Sequence, residues 1–78
     1  MKERITRGRL LSMINEIRKS DNRTVLTAVR DTDSLRKDLG LTSFDLVDLA
    51  ARIRDEFGVG ILEDGLVDTV GEICRRLE

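Results

Sequence analysis

Residues 33–61 read DSLRKDLGLTSFDLVDLAARIRDEFGVGI, and their second half decides the fold. Leu46, Ala50, Ile53 and Phe57 recur at steps of four, three and four residues with Leu49 beside them, while Asp45, Asp48, Arg52, Asp55 and Glu56 take the opposite side. That is the period of an amphipathic helix, predicted over Ser43–Phe57, with Gly58 and Gly60 ending it. Two cap-competent residues, Thr42 and Ser43, stand side by side at its start. With Thr42 as the N-cap and Asp45 returning a bond to its backbone N–H, Ser43 is the first helical residue and its hydroxyl is spare. A spare hydroxyl at that point lies beside the unpaired N–H groups and positive dipole end of the helix, which favour a phosphate. Taken without further context, a serine at a helix start is more often simply a cap.

Outward from this helix the pattern continues. Leu10, Met13, Ile14 and Ile17 fall at i, i+3, i+4 and i+7, and the run stops at Lys19, Ser20, Asp21 and Asn22, which predicts a first helix over about residues 3–18 with a soft start near Gly8. Thr69 and Glu72 have capping-box spacing, and Val70, Ile73, Cys74 and Leu77 form an apolar stripe, so a last helix is predicted over residues 70–77. Ile61, Leu62, Leu66 and Val67 surround Glu63, Asp64 and Gly65 and suit a bend with a short helix at about residues 63–67. Residues 20–42 form a long loop with no strong period, of the kind compact domains keep for function. Val25, Leu26 and Val29 are its first candidate anchors, and Leu35, Leu39 and Leu41 its second, through a short turn around residues 33–39. The β-branched run at residues 24–29 has no partner strand elsewhere.

Composition narrows the chemistry. The 78 residues suffice for a single domain and a core near the lower limit for stability without staples. With no histidine there is no imidazole general base, no Ser-His or Cys-His pair and no His-ligated zinc, which excludes most small hydrolase mechanisms; no catalytic and no metal-binding residue is expected. The single Cys74 falls on the apolar stripe of the last helix and reads as a small core residue. Nothing near Met1 resembles a secretion signal, and no apolar run would span a bilayer, so a cytoplasmic protein without membrane insertion is expected. With Phe44 and Phe57 the only aromatic residues, base-stacking groups are nearly absent. The net charge of −1 conceals an asymmetry, since residues 1–37 carry ten basic and five acidic side chains and residues 38–78 four basic and ten acidic. One reading gives each half an oppositely charged partner; the other has the two surfaces attract each other within one fold.

The stretch Asp38, Leu39, Gly40, Leu41, Thr42, Ser43, followed by Phe44, Asp45 and a helix ending in Glu56 and Phe57, resembles the centre of the acyl carrier protein family. The similarity spans about residues 33–77. It implies an all-α, four-helix fold with three main helices, one short helix and a long loop between the first two. It further implies that Ser43 bears 4'-phosphopantetheine, donated by coenzyme A through a phosphopantetheinyl transferase. By the same resemblance the chain is not an enzyme. It holds acyl intermediates as thioesters and presents them to acyl-loading, condensing or modifying enzymes, as a monomer and without binding nucleic acid. The missing histidine then fits, because the reactive atom belongs to the cofactor.

Partner recognition, again by resemblance, falls to the second helix, through Asp45, Asp48, Asp55 and Glu56 and the apolar Phe44, Val47 and Ala51, with Arg52 of this chain added to the recognition residues. Phe44 and Val47 could equally be core, and Asp45 could equally serve the helix dipole. The sequence departs from the family pattern at Arg52 and Arg54, which interrupt a usually acidic helix. Asp48 and Arg52 make an i, i+4 pair that narrows recognition. Thr42 stands where an Asp often precedes the modified Ser, and Leu62 where a Pro often follows Ile61. These departures imply a specialised carrier for one pathway of fatty-acid, polyketide or related biosynthesis, with Ala50 and Ala51 leaving room for an acyl chain. Leu41, Thr42, Ser43 and Phe44 lean toward acyl rather than aminoacyl or peptidyl cargo. The alternative from another class is a small helical module binding protein or nucleic acid through Arg4, Arg7 and Arg9.

Overall fold

The computed structural model describes residues 2–63, 65 and 67–77, with the side chains of residues 2–5 outside the description. Among the described residues there are three helices and no strand: α1 (Lys2–Ser20), α2 (Ser43–Phe57) and α3 (Val70–Leu77). The architecture is all-α, with α1 packed against both α2 and α3. The expected short helix at about residues 63–67 is not among them. Residues 61–63 form a turn and Gly65 a bend, while Asp64 and Leu66 lie outside the described residues.

Each helix buries the stripe its spacing implies. Leu10, Met13, Ile14 and Ile17 of α1 meet Leu46, Leu49 and Ile53 of α2 and Val70, Ile73 and Cys74 of α3 in one core. Ala50, Phe57 and Leu77 are half-buried at its margin. α1 runs two residues past the expected end. The left-handed Asn22 (φ 59°) then lets Arg23 N–H reach Arg18 O at 2.8 Å and Asn22 N–H reach Lys19 O at 3.0 Å, a Schellman closure. α2 stops at Gly58, whose φ of 71° suits glycine and whose N–H donates to Arg54 O at 2.9 Å.

The long loop of residues 21–42 is fastened at both ends. Near α1, Asn15 exchanges two hydrogen bonds with the Leu26 backbone at 2.9 and 2.7 Å, and Arg18 Nε donates to Thr24 O at 2.8 Å. Val29 is buried and Leu26 half-buried, but Val25 is 43% exposed and does not serve as an anchor. Farther on, Ser34 pairs with Thr69 in an isolated antiparallel bridge. Leu35 N–H donates to Asp68 O at 2.7 Å, Val70 N–H to Asp33 O at 3.1 Å and Gly71 N–H to Asp31 O at 3.0 Å. The loop thus supplies acceptors for the first N–H groups of α3, which no helical carbonyl can satisfy. Leu35, Leu39 and Leu41 complete the core.

Candidate functional site

The site is built from the turn that enters α2. Ser34 N–H donates to Asp38 Oδ2 at 2.6 Å, and the Asp38 and Leu39 N–H groups both donate to Ser34 O at 3.0 Å. The Asp38 carboxylate thereby closes the turn from inside. Gly40 follows with φ 67°, and a Cβ there would stand 2.7 Å from Arg23 Nη1, which donates to the Gly40 carbonyl. Arg18 Nη1 donates to Leu39 O at 2.7 Å. With Leu39 and Leu41 buried on either side, the chain is delivered to α2 along a defined path.

Thr42 is the N-cap in extended conformation. Its Oγ1 accepts from Asp45 N–H at 3.1 Å, and Asp45 Oδ2 accepts from Thr42 N–H at 3.0 Å, so both halves of the capping box are present. Asp45 is only 8% exposed, its carboxylate serving the cap. Ser43 is therefore free of capping duty. It is exposed, and its Oγ accepts a hydrogen bond from Arg36 Nη2 at 2.8 Å.

The outer face of α2 carries the other residues singled out by sequence. Phe44 is 88% and Val47 61% exposed, which removes both from the core, and Asp48, Ala51, Asp55 and Glu56 are exposed as well. Arg52 is half-buried. Its Nε donates to Asp48 Oδ1 at 2.9 Å and its Nη1 pairs with Glu16 of α1. Arg9 of α1 pairs with Glu56 through two of its nitrogens. That hydrogen bond holds the Glu56 carboxyl below its ordinary range, and Glu56 in turn raises Arg9. Asp48 does the same for Arg52. At the other end of the helix, Asp21 is pushed up, first by sharing a hydrogen bond with the Asp45 carboxylate. Of the acids proposed for recognition, only Asp55 is exposed and outside these pairings among the described residues.

Sequence reasoning missed four contributors: Arg36 at the Ser43 hydroxyl, Arg9 and Glu16 across from α2, and Asp21 beside Asp45. The charge asymmetry was the available signal, since Arg9 belongs to the basic front and Glu56 to the acidic back.

A profile of the family described as the phosphopantetheine attachment site matches residues 9–77. The chain belongs to this family. Comparison with curated proteins and with solved structures gives no match. A phosphopantetheine carrier binds 4'-phosphopantetheine and is not an enzyme; a phosphopantetheinyl transferase modifies it and biosynthetic enzymes receive it. The entrance to α2 fits such a group. It offers an exposed hydroxyl that caps nothing, with a guanidinium against it and the N–H groups of a helical first turn behind it. Among the described residues no cluster of three or more acidic or cysteine side chains is arranged to hold a metal, and no helix is long and apolar enough to cross a membrane.

Proposed function

We propose that Ser43 Oγ is the attachment point of 4'-phosphopantetheine and that this carrier holds acyl rather than aminoacyl or peptidyl cargo. One observation carries the assignment: Thr42 and Asp45 satisfy the cap between them, leaving the neighbouring hydroxyl exposed and not needed for the cap. When attached, the cofactor supplies a thiol that holds the cargo as a thioester. The chain's own residues do the rest. Asp38 and Gly40 aim the turn, the Thr42–Asp45 box fixes the start of α2, and Ser43 provides the oxygen.

Acyl cargo is supported by an open groove of about 330 Å³ lined by Ala50, Ala51, Ile61 and Leu62 together with Arg54, Gly60 and Glu63. Recognition falls to Phe44 and Val47 with Ala51, flanked by Asp48, Asp55 and Glu56. Two exposed apolar side chains on one helix face are a contact surface rather than core. Arg52 on Asp48 and Arg9 on Glu56 reduce the free negative charge of that face. The reading therefore has a specialised carrier serving fatty-acid, polyketide or related enzymes with little breadth of partner, as a cytoplasmic monomer that does not bind nucleic acid.

Incubation with coenzyme A and a broad-specificity phosphopantetheinyl transferase, followed by intact mass measurement, tests the assignment. One phosphopantetheine should be gained by the wild type and none by Ser43→Ala. A gain that survives Ser43→Ala sinks it. The cargo is tested by loading the holo protein with acyl and aminoacyl groups in turn. Acyl chains should protect Ala50 and Leu62 amides from hydrogen exchange, and equal protection by an aminoacyl group contradicts the acyl reading.

A further inference from the structure

Arginine is the commonest cation of this chain's surface, and most of its arginines with a bonded partner are already committed. Arg7, Arg9 and Arg52 meet carboxylates, and Arg18, Arg23 and Arg76 meet backbone carbonyls. Arg36 differs. Among the described residues it has no ion-pair partner, and its one hydrogen bond is the 2.8 Å donation to Ser43 Oγ. Both side chains are exposed, and the turn that carries Arg36 is held by Asp38 and by the buried Leu35 and Leu39 on either side of it.

A guanidinium has five N–H donors in a planar fork, of which the Ser43 hydroxyl takes one. Its preferred partner is a planar or tetrahedral oxyanion that takes two donors at once, which is the geometry of a phosphate. A phosphodiester formed on Ser43 Oγ would carry its charged oxygens two bonds from an atom this guanidinium already touches. We propose that Arg36 is the positioning residue for the prosthetic group, holding the phosphodiester on Ser43 by a charge-assisted contact and so fixing the direction in which the arm leaves α2. The inference rests on the Ser43 assignment and adds to it a residue seven positions upstream that no helical pattern links to the site.

The test starts from the holo protein prepared with coenzyme A and a transferase. Intact masses come first. A gain in wild type that is absent in Ser43→Ala establishes the attachment point; any other pattern overturns that assignment and this inference together. The phosphorus-31 resonance of the phosphodiester is then followed in wild type, Arg36→Lys and Arg36→Gln as ionic strength rises from about 0.01 M to about 1 M, over which the screening length falls about tenfold. The wild-type resonance should move with salt and converge on that of Arg36→Gln, which should be nearly salt-independent. Arg36→Lys should lie between them, because an ammonium keeps the charge and loses the fork. An Arg36 that merely supported the turn would change thermal stability and leave the phosphorus resonance alone. Coincident resonances in all three proteins at every salt concentration overturn the anchor while leaving Ser43 as the attachment point.

Discussion

Thr42 and Asp45 hold each other through reciprocal hydrogen bonds, Asp45 N–H to Thr42 Oγ1 at 3.1 Å and Thr42 N–H to Asp45 Oδ2 at 3.0 Å. The pair does two things at once. It satisfies donors at the start of α2, and it leaves the Ser43 hydroxyl between them free of capping duty. Thr42→Ala should lower stability by about 1 kcal/mol, a fall in melting temperature of roughly 4–8 °C for a domain of this size. Thermal unfolding followed by circular dichroism reads this directly. An unchanged midpoint would mean that the cap contributes nothing, or that Ser43 can replace Thr42 in it.

Acid should weaken the fold partly through Glu56. Its folded-state pKa is depressed by Arg9, so its contribution is present above the unfolded value and is lost as pH falls through the folded one. Asp21 has the opposite sign: its raised pKa favours the fold below its unfolded value, and that advantage disappears as pH rises through the folded one. Urea midpoints measured across the carboxylate range should therefore fall less steeply toward acid in Glu56→Gln than in wild type. Asp21→Asn should be more stable than wild type at neutral pH. Identical pH profiles for wild type and Glu56→Gln would contradict the Arg9–Glu56 account.

The clamp between the long loop and α3 packs closely on Gly71. A Cβ there would stand 3.0 Å from Asp31 O and 3.1 Å from Asp31 Cβ, tighter than ordinary packing allows, and the Gly71 N–H donates to that same Asp31 carbonyl. Gly71→Ala should cost about 1–3 kcal/mol by overpacking. It should also speed hydrogen exchange at the Leu35, Val70 and Gly71 amides before it affects those of α2. Uniform loss of protection across the chain would show that the clamp does not open separately.

Arg52 is predicted to limit partner choice by occupying Asp48 and Glu16 together. Arg52→Gln should release the Asp48 carboxylate to the outer face of α2. Binding of a transferase with a basic docking surface should then tighten and become more sensitive to salt, with little change in stability because the carboxylate partners, Asp48 and Glu16, are exposed. A KM for the transferase that is unchanged at low salt would remove Arg52 from the account of specificity.

What could be read from sequence was local. The α2 stripe, the Thr42–Asp45 box and the end of α2 at Gly58 all depend on neighbours three or four residues apart, and each appears where spacing predicts it. The course of residues 21–42 depends on contacts about 35 residues distant, such as Leu35 N–H to Asp68 O, and no periodicity encodes them. That is why Val25 and Val29 looked alike in sequence yet only Val29 is buried. Phe44 and Val47 were ambiguous for a different reason. Their apolar character suggested core, but at helical spacing both fall outside the stripe of Leu46, Leu49, Ala50, Ile53 and Phe57, and both face outward. Arg36 was invisible because its reach to Ser43 crosses a turn rather than a helix face.

The central claim is that the phosphopantetheine is carried by Ser43 and not by another hydroxyl. Trypsin should release residues 38–52 as one peptide, DLGLTSFDLVDLAAR, which contains two adjacent hydroxyls, Thr42 and Ser43. Fragmentation of this peptide from the modified protein separates them. The account predicts the added phosphopantetheine on Ser43 alone, with Thr42 unmodified. Finding it on Thr42, or on a peptide containing Ser12, Ser20 or Ser34, would contradict the account.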